Sequence, residues 1–231
     1  VLFRSLKTVV LERRGVVGGA AVTEEFHPGF RNSVCSYVVS LLHPKVIRDL
    51  ELTAHGLDIM ERPVASYLPL PDGGAMMVPR EPVAAEREIA KFSQHDALRY
   101  HDFENQVQRA ADVVRGTLLE TPPELGGGLG DPMTLLTTGN RFRKLSPAMQ
   151  REFVDLMTMS IGDYLDEWFE CDPLKGDFGF EGIVGNMASP YHPGTAYVLL
   201  HHAMGQVNGR RGAWGHAIGG MGAITQAMAS A

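Results

Sequence analysis

An acidic residue at the end of an apolar run, followed by a diglycine, restricts this chain more than any other feature. Residues 8–11 are β-branched and apolar, Glu12 follows them, and Gly18-Gly19 comes after a short segment of arginine, glycine and valine. Such a run predicts a buried parallel strand. In a dinucleotide-binding βαβ unit, an acidic residue at a strand end accepts hydrogen bonds from the adenosine ribose hydroxyls. Glu12 is therefore a candidate ribose ligand.

The residue types at this site suit a dinucleotide. The Glu12 carboxylate can accept from two adjacent hydroxyls at once, and its charge disfavours a 2′-phosphate, so FAD or NAD is expected rather than NADP. Gly18 and Gly19 have no Cβ, which lets the backbone approach a bound nucleotide closely. The alternative is a surface glutamate that ends an ordinary strand, with glycines that serve only a turn.

The net charge, the length of the apolar stretches and the number of cysteines limit the classes of protein to which this chain can belong. The formal net charge of -6 gives no electrostatic reason to expect nucleic acid as a partner. The apolar stretches are much shorter than the roughly 20 residues of a membrane span, so no span is expected. The two cysteines, Cys35 and Cys171, are too few for a disulfide framework and indicate a reducing compartment, the cytoplasm.

The rest of the chain carries both sheet and helix signals. Pro28-Gly29 predicts a turn, and Asp72-Gly73-Gly74 between two apolar runs predicts a β-hairpin. Amphipathic spacing predicts helices through most of residues 82–204, with Ser146 as the N-cap of one of them. A strand at residues 213–218 then leads into Gly219-Gly220-Met221-Gly222, which opens a terminal helix.

The segment at residues 219–222 is a second candidate for the cofactor. A glycine-rich helix N-terminus offers free N–H groups and a partial positive charge, although a plain strand-to-helix turn explains the same residues. Trp214 and His216 share one face of a strand and are candidates to line a substrate cavity, unless Trp214 simply packs. Tyr191 is a candidate for substrate contact or for a turn.

A metal site is not predicted. His201 and His202 are adjacent, and neighbours on a helix point about 100° apart, so they rarely bind one ion. The sequence has no H-E-x-x-H motif to support them. One of the two histidines is expected to pack and the other to face solvent or a cavity.

These motifs in combination resemble the phytoene-desaturase-like flavoprotein family, and within it the branch of pyridine nucleotide-disulfide oxidoreductase domain-containing proteins. The resemblance extends over nearly the whole chain. The matching segments are residues 7–14, 18–25, 28–29, 193–202, 212–215 and 219–222.

The resemblance implies FAD in an extended form on a Rossmann-like domain, with a substrate domain inserted between its segments. It implies oxidation or desaturation of an apolar small molecule by hydride transfer to the flavin, which needs no strong side-chain acid or base. The cofactor contacts that it implies are Glu12, Arg13, Gly18, Gly19, Ala20, Gly220 and Met221. The candidate substrate contacts are Trp214, His216 and Tyr191, with a turn role favoured for Tyr191.

The chain departs from the family pattern before Glu12. A G-x-G-x-x-G turn is expected roughly 20 residues ahead of the acidic residue, and eleven residues precede Glu12. The glycines of residues 126–130 have a different spacing and follow no clear strand. Many members carry a basic residue where Ala20 stands, which weakens a phosphate contact there. We therefore expect a chain cut at both ends that binds FAD weakly or not at all.

The predicted fold class is α/β: a partial Rossmann-like FAD-binding domain without its first strand and glycine turn, and an inserted mixed helical and antiparallel substrate domain. The predicted divisions are a partial FAD-binding region at 1–42, the substrate domain at 43–218, and a helix at 219–231 that leads back to the FAD-binding domain. The predicted function is an FAD-dependent dehydrogenase or desaturase in its full-length form. The alternatives are a flavin amine oxidase-like enzyme and an inert binding protein that keeps the fold.

Overall fold

The chain divides into two compact units. The computed structural model describes residues 7, 9, 11–122 and 130–231. Unit 1 comprises Val1–Glu61 and Trp214–Ala231, and unit 2 comprises Arg62–Ala213. Residues 43–61, which the sequence predicted as part of the substrate domain, therefore pack within unit 1.

The regular secondary structure of the described residues consists of helices and small antiparallel sheets. The helices are α1 Pro44–Asp49, α2 Pro82–Ile89, α3 Gln94–Arg115, α4 Gly130–Arg143, α5 Pro147–Thr158, α6 Ile161–Asp166, α7 Asp172–Glu181, α8 Ala196–Ala203 and α9 Gly222–Ser230. The strands are β1 Thr23–His27, β2 Phe30–Ser33, β3 Ile59–Glu61, β4 Val64–Pro69, β5 Ala75–Pro79, β6 Gln206–Val207, β7 Arg210–Arg211 and β8 Gly215–Ala217. The pairs β1–β2, β3–β8, β4–β5 and β6–β7 are all antiparallel. The fold is therefore mixed α/β.

The buried parallel strand predicted before Glu12 is not formed by the described residues. Val9 is 80% exposed and Leu11 is 90% exposed, and neither lies in a strand. Thr8 and Val10 lie outside the described residues. A parallel strand needs hydrogen-bonded neighbours and covered faces, and the described strands form only antiparallel pairs. A Rossmann-like parallel sheet is accordingly not present in the described part of the chain.

A hairpin follows the diglycine in unit 1. The chain turns between β1 and β2 at Pro28-Gly29, as the sequence predicted, with Gly29 at φ +80°. The Glu25 carboxylate accepts the N–H of Gly29 at 3.0 Å and stabilises this turn. The register places Thr23 directly opposite Ser33. These two side chains therefore stand side by side on one face of the hairpin.

The core of unit 1 forms between β8 and α9. Along residues 213–218, buried positions alternate with more accessible ones, as a strand with one covered face requires. Val39 exchanges two backbone hydrogen bonds with Gly215, each of 2.9 Å. The buried hydrophobic residues are Val39, Leu52, Leu57, Ala217, Met221, Ile224 and Ala227.

Unit 2 is mainly helical and has a core of its own. Phe103 on α3 is buried, with its ring centroid 4.7 Å from that of Phe178 and 4.8 Å from that of Phe169. The predicted hairpin is confirmed, because β4 and β5 are joined by a turn in which Asp72 accepts the N–H of Gly74 at 2.9 Å. The predicted N-cap is confirmed as well, since Ser146 Oγ accepts the N–H of Met149 at 3.2 Å.

A buried carboxylate joins α3 to the start of α7. Ser93 caps α3 by accepting the N–H of Asp96 at 3.1 Å. The Asp96 carboxylate in turn accepts the N–H groups of Glu170 at 3.0 Å and Cys171 at 2.7 Å. Burial raises the pKa of Asp96, but the hydrogen bonds from His95 and from these two N–H groups outweigh it and hold the pKa below its usual value. The carboxylate therefore acts as a structural link in unit 2.

Within the described residues, no helix is both long enough and apolar enough to cross a lipid bilayer.

Candidate functional site

The candidate ribose ligand lies on an accessible loop of unit 1. The Glu12 side chain is exposed, and its Oε1 accepts the N–H of Arg14 at 2.9 Å. Arg14 also forms an ion pair with Glu24 at the start of the hairpin. Arg13 between them is exposed. The loop thus orients the Glu12 carboxylate and leaves it within reach of a ligand from solvent.

The two glycines of the diglycine have different surroundings. Gly18 has φ +138°, and a Cβ built on it would lie 2.7 Å from Oγ1 of Thr225 on α9. Gly19 has φ +54°, and a Cβ built on it would have no atom within 4 Å. The space that a side chain of Gly18 would need is therefore filled by the protein itself, whereas the corresponding space above Gly19 is open. Ala20, which follows, is exposed, and its carbonyl accepts the N–H of Ser36 at 3.0 Å.

The glycine-rich segment before α9 does not present the free N–H groups that the sequence predicted. Gly219 and Gly220 take left-handed conformations, with φ +88° and +83°. The N–H of Met221 is donated to Ser33 Oγ at 3.0 Å, and that of Gly222 to Thr23 Oγ1 at 2.9 Å. The next two N–H groups of the turn are donated to backbone carbonyls of residues 220 and 221. Met221 is buried in the core of unit 1.

Helix α9 connects the two glycine segments: the second segment opens this helix, and residues of the helix contact the loop before the diglycine. Thr225 Oγ1 lies 3.3 Å from the carbonyl oxygen of Val17, and Gln226 donates to the same oxygen at 3.4 Å. The loop that leads into the diglycine is thereby fastened to α9, at a sequence separation of 208 residues. The two segments predicted as cofactor contacts from separate motifs are therefore linked within unit 1 through α9.

Three hydroxyl residues hold these two segments in place, and the sequence analysis did not identify them. Thr23, Ser33 and Thr225 are ordinary strand and helix residues in the sequence, and no motif marks them. Their importance depends on the hairpin register and on the position of α9. The available signal was the pair of hydroxyl residues on the two sides of the turn at Pro28-Gly29.

Trp214 and His216 share one face of the strand, as predicted. Both are partly exposed, whereas Ala213, Gly215 and Ala217 between and beside them are buried. His216 Nδ1 lies 3.3 Å from the carbonyl oxygen of Tyr37. A role of this face in substrate binding stays a prediction.

Tyr191 lies in unit 2, in a turn, and lines a groove of about 430 Å³. Its hydroxyl donates to Asp166 at 3.1 Å, and its ring covers Gly162 closely enough that a Cβ there would lie 2.5 Å away. Asp166 also accepts from Lys175 at 3.0 Å, and this hydrogen bond lowers the pKa of the Asp166 carboxyl. Leu165, Phe180 and Ile183 supply apolar walls. Tyr191 and the pair Trp214 and His216 thus belong to different units.

The histidine pair on α8 makes contacts of its own. His202 Nδ1 lies 2.9 Å from a carboxylate oxygen of Glu181. Burial, and then the neighbouring His202, lower the pKa of His201. Among the described residues, the group with the spacing of metal ligands is a different one, formed by His95, Asp96 and Glu170. The Asp96 oxygens already accept hydrogen bonds from the backbone, so this group is explained by the link between α3 and α7.

A carboxyl with a strongly shifted pKa went unrecognised in the sequence. Asp177 on α7 accepts a hydrogen bond of 2.5 Å from Ser66 on β4. Burial raises its pKa to about 6; the Ser66 hydrogen bond and Arg62 act against this shift, and Glu181 adds to it. The residue is a polar α-helical position in the sequence, and only the packing of α7 on β4 makes it unusual.

Comparison with known proteins gives relatives over most of the chain. No protein-family model matches the chain. It is 36% identical to the rat and 38% identical to the mouse protein named pyridine nucleotide-disulfide oxidoreductase domain-containing protein 2, over 97% of this chain in each case. The branch indicated by the motifs is therefore found among the relatives. The chain spans 41% of the length of each of these two proteins.

A shorter match involves a bacterial enzyme. The chain is 33% identical to one of the subunits of limonene dehydrogenase from Castellaniella defragrans over 107 residues, which is 46% of this chain and 19% of that polypeptide.

Proposed function

We propose that this chain is a segment of an FAD-dependent oxidoreductase that takes a hydride from an apolar small molecule. The observation that carries the proposal is the contact of the diglycine loop with α9, the helix that the glycine-rich segment opens. The similarity to proteins named as oxidoreductase-domain proteins supports the reaction class. The similarity to a limonene dehydrogenase polypeptide supports an apolar substrate, because limonene is a hydrocarbon.

Several residues of unit 1 fit an FAD molecule. The exposed Glu12 carboxylate would accept hydrogen bonds from the ribose hydroxyls. The open space above Gly19 would let the backbone lie against the dinucleotide. Bound flavin would supply the hydride acceptor for the oxidation. Trp214 and His216 are the proposed substrate contacts in this unit, and Tyr191 is the proposed contact in unit 2.

Pyrophosphate is proposed to be bound by a segment outside these 231 residues. Dinucleotide folds hold pyrophosphate at a glycine turn and helix N-terminus, and no G-x-G-x-x-G occurs in the sequence. The N–H groups of Met221 and Gly222 are already donated to hydroxyls of the protein. The full-length protein is therefore proposed to supply the turn, and the proposed location is the cytoplasm, in keeping with two free cysteines.

The test compares this chain with a protein of the relatives' full length. We expect the full-length protein to purify with one FAD per chain and the 231-residue chain to be colourless. In the full-length protein, Glu12→Ala should weaken FAD by about 1–3 kcal/mol, because the ribose hydroxyls lose their acceptor. Glu12→Gln keeps one acceptor oxygen and should lose less. Affinities are measured by quenching of flavin fluorescence.

Glu51→Ala serves as a matched control, since Glu51 is an exposed glutamate of the same unit that lies outside the hairpin and should leave FAD affinity unchanged. Stoichiometric binding of FAD by the 231-residue chain would contradict the proposal that a glycine turn outside this chain is needed to bind pyrophosphate. A colourless full-length protein without a G-x-G-x-x-G turn would overturn the proposed function and favour an inert binding protein. Preferential oxidation of amines over hydrocarbons would favour the amine oxidase alternative.

A further inference from the structure

Unit 2 contains an open groove of about 430 Å³ that is lined by α6, by α7 and by the turn that carries Tyr191. A volume of this size lies within the range of small-molecule sites, roughly 300–1,000 Å³. Leu165 forms a buried apolar part of the lining, while Phe180 and Tyr191 are 56% and 58% exposed along it. Large apolar side chains that remain exposed in one depression are typical of a surface that binds a ligand. The groove therefore has the size and the walls of a small-molecule site.

Two glycines on one face of α7 keep the floor of this groove open. Gly176 and Gly179 are three residues apart in the helix, and both line the groove. A Cβ built on Gly176 would have no atom of the described residues within 4 Å, and one built on Gly179 would lie 4.0 Å from Leu165, an ordinary contact distance. Glycine destabilises the interior of a helix relative to alanine, and the packing around these two positions does not require it. The space that they leave therefore points to an occupant of the groove.

The polar wall of the groove carries a net negative charge. The Asp166 carboxylate accepts hydrogen bonds from the Tyr191 hydroxyl at 3.1 Å and from Lys175 at 3.0 Å, and Lys175 also lies 3.3 Å from Asp172. One ammonium thus faces two carboxylates. The pKa of Tyr191 is raised, first by its hydrogen bond to Asp166 and then by the charge of that carboxylate. Asp163 adds to the shift and Lys175 opposes it, so the potential at the Tyr191 hydroxyl favours a cation.

We infer that the groove of unit 2 binds a small apolar molecule that carries one ammonium group. The apolar part of the ligand would lie over Gly176 and Gly179, against the ring of Phe180. Its ammonium would donate to Asp166 and to the hydroxyl oxygen of Tyr191, which keeps its lone pairs as acceptors while its proton is donated to Asp166. The inference goes beyond the proposed function, because binding in this groove needs neither flavin nor hydride transfer.

The class of ligand is tested by titrating the 231-residue chain at pH 7 with three molecules of similar size: cyclohexylmethylamine, cyclohexylmethanol and cyclohexanecarboxylate. NMR shifts of the Gly176 and Gly179 amides report binding in the groove. We expect the amine to bind roughly tenfold more tightly than the alcohol, and the carboxylate to bind most weakly, because only the amine carries a positive charge. The inference is overturned if none of the three shifts these amides, or if the alcohol or the carboxylate binds as tightly as the amine.

The role of the carboxylate is tested by Asp166→Asn. This variant should lower the affinity for the amine roughly five- to tenfold and leave that for the alcohol nearly unchanged, because it removes the negative charge beside Tyr191. Asp102→Asn, at an exposed position of α3, removes the same charge outside the groove and is the matched control. An equal loss of amine affinity in both variants would show that net charge alone attracts the amine, which would overturn the site.

The open floor of the groove is tested by Gly176→Ala, whose expected result cannot arise from a loss of folding. Alanine should raise the melting temperature, because it favours the helix, and should weaken the amine at least roughly threefold, because its methyl group occupies the groove. Gly139→Ala is the matched control, since Gly139 is a glycine of α4 at which a Cβ would likewise meet no atom of the described residues within 4 Å. It should raise the melting temperature and leave amine affinity unchanged.

Two results for Gly176→Ala would overturn the inference. Unchanged amine affinity would show that no ligand lies over α7, and a lower melting temperature would show that the protein itself requires this glycine. All of these measurements are made without FAD. A failure of the groove to bind the amine is therefore distinguishable from a failure of the proposed function, which is tested by FAD binding to the full-length protein.

Discussion

At the residue scale, the diglycine separates into a structural glycine and an open one. Gly18 has a conformation at φ +138° and a close contact with Thr225, both of which exclude a side chain. Gly19 has a left-handed conformation that L residues adopt at modest energy, and open space above it. One dipeptide motif in the sequence therefore contains two different constraints.

Replacing each glycine by alanine in turn should distinguish an effect on stability at Gly18 from an effect on FAD binding at Gly19. Gly18→Ala combines backbone strain with overpacking against α9 and should lower the free energy of unfolding by about 2–4 kcal/mol. Gly19→Ala should cost about 1 kcal/mol, yet in the full-length protein it should weaken FAD binding, since a Cβ would occupy the open space. Chemical denaturation and flavin titration measure the two effects. Equal loss of stability in both variants would contradict the distinction.

At the scale of elements, α7 carries a carboxyl that folding makes harder to ionise. Asp177 lies against β4 with a hydrogen bond from Ser66, and burial raises its pKa to about 6. Between about pH 4 and pH 6 the folded protein thus binds a proton that the unfolded chain releases. Because the folded state binds more protons, this group lowers stability as the pH rises through that interval.

Asp177→Asn should therefore stabilise the protein at pH 7 and have little effect at pH 4. The gain should be about 1–3 kcal/mol, which corresponds to a shift of roughly two pKa units with partial exposure taken into account. Asparagine still offers Ser66 an oxygen acceptor. Asp102→Asn, at an exposed position of α3, is the control and should change stability little. Thermal melts at both pH values measure the effect, and a gain of equal size at pH 4 would contradict the assignment.

At the scale of the whole molecule, one of the two compact units is continuous in sequence and the other is not. Unit 2 is one continuous segment, Arg62–Ala213, whereas unit 1 is assembled from two segments that flank it in sequence. Unit 2 has a complete aromatic and aliphatic core of its own around Phe103. A domain with its own core and a continuous chain is able to fold alone.

We expect residues 62–213, produced alone, to unfold in a single cooperative thermal transition with native-like helix content. Phe103→Ala in the same segment should lower its stability by about 3–5 kcal/mol, because the phenyl ring fills the centre of the core. Val83→Ala, at an exposed position of α2, should have little effect. Circular dichroism and calorimetry measure both. A segment that melts without cooperativity would show that it depends on the rest of the chain.

The sequence by itself determined the features that depend on near neighbours. The turns at Pro28-Gly29 and Asp72-Gly73-Gly74 and the cap at Ser146 follow from backbone preferences and hydrogen bonds within a few residues. The helical character of unit 2 follows in the same way from amphipathic spacing. The expected strand before Glu12 did not form in the described residues, because strand propensity needs a partner to be realised.

Only the tertiary structure decided which distant residues meet. The contact of Thr23 with Gly222 joins positions 199 residues apart, and the raised pKa of Asp177 exists only where α7 packs on β4. Such contacts depend on register and packing, which no local pattern encodes. The sequence thus marked Glu12 and the two glycine segments as candidates, and the fold showed that Gly18 faces the protein and Gly19 does not, because α9 covers one of them alone.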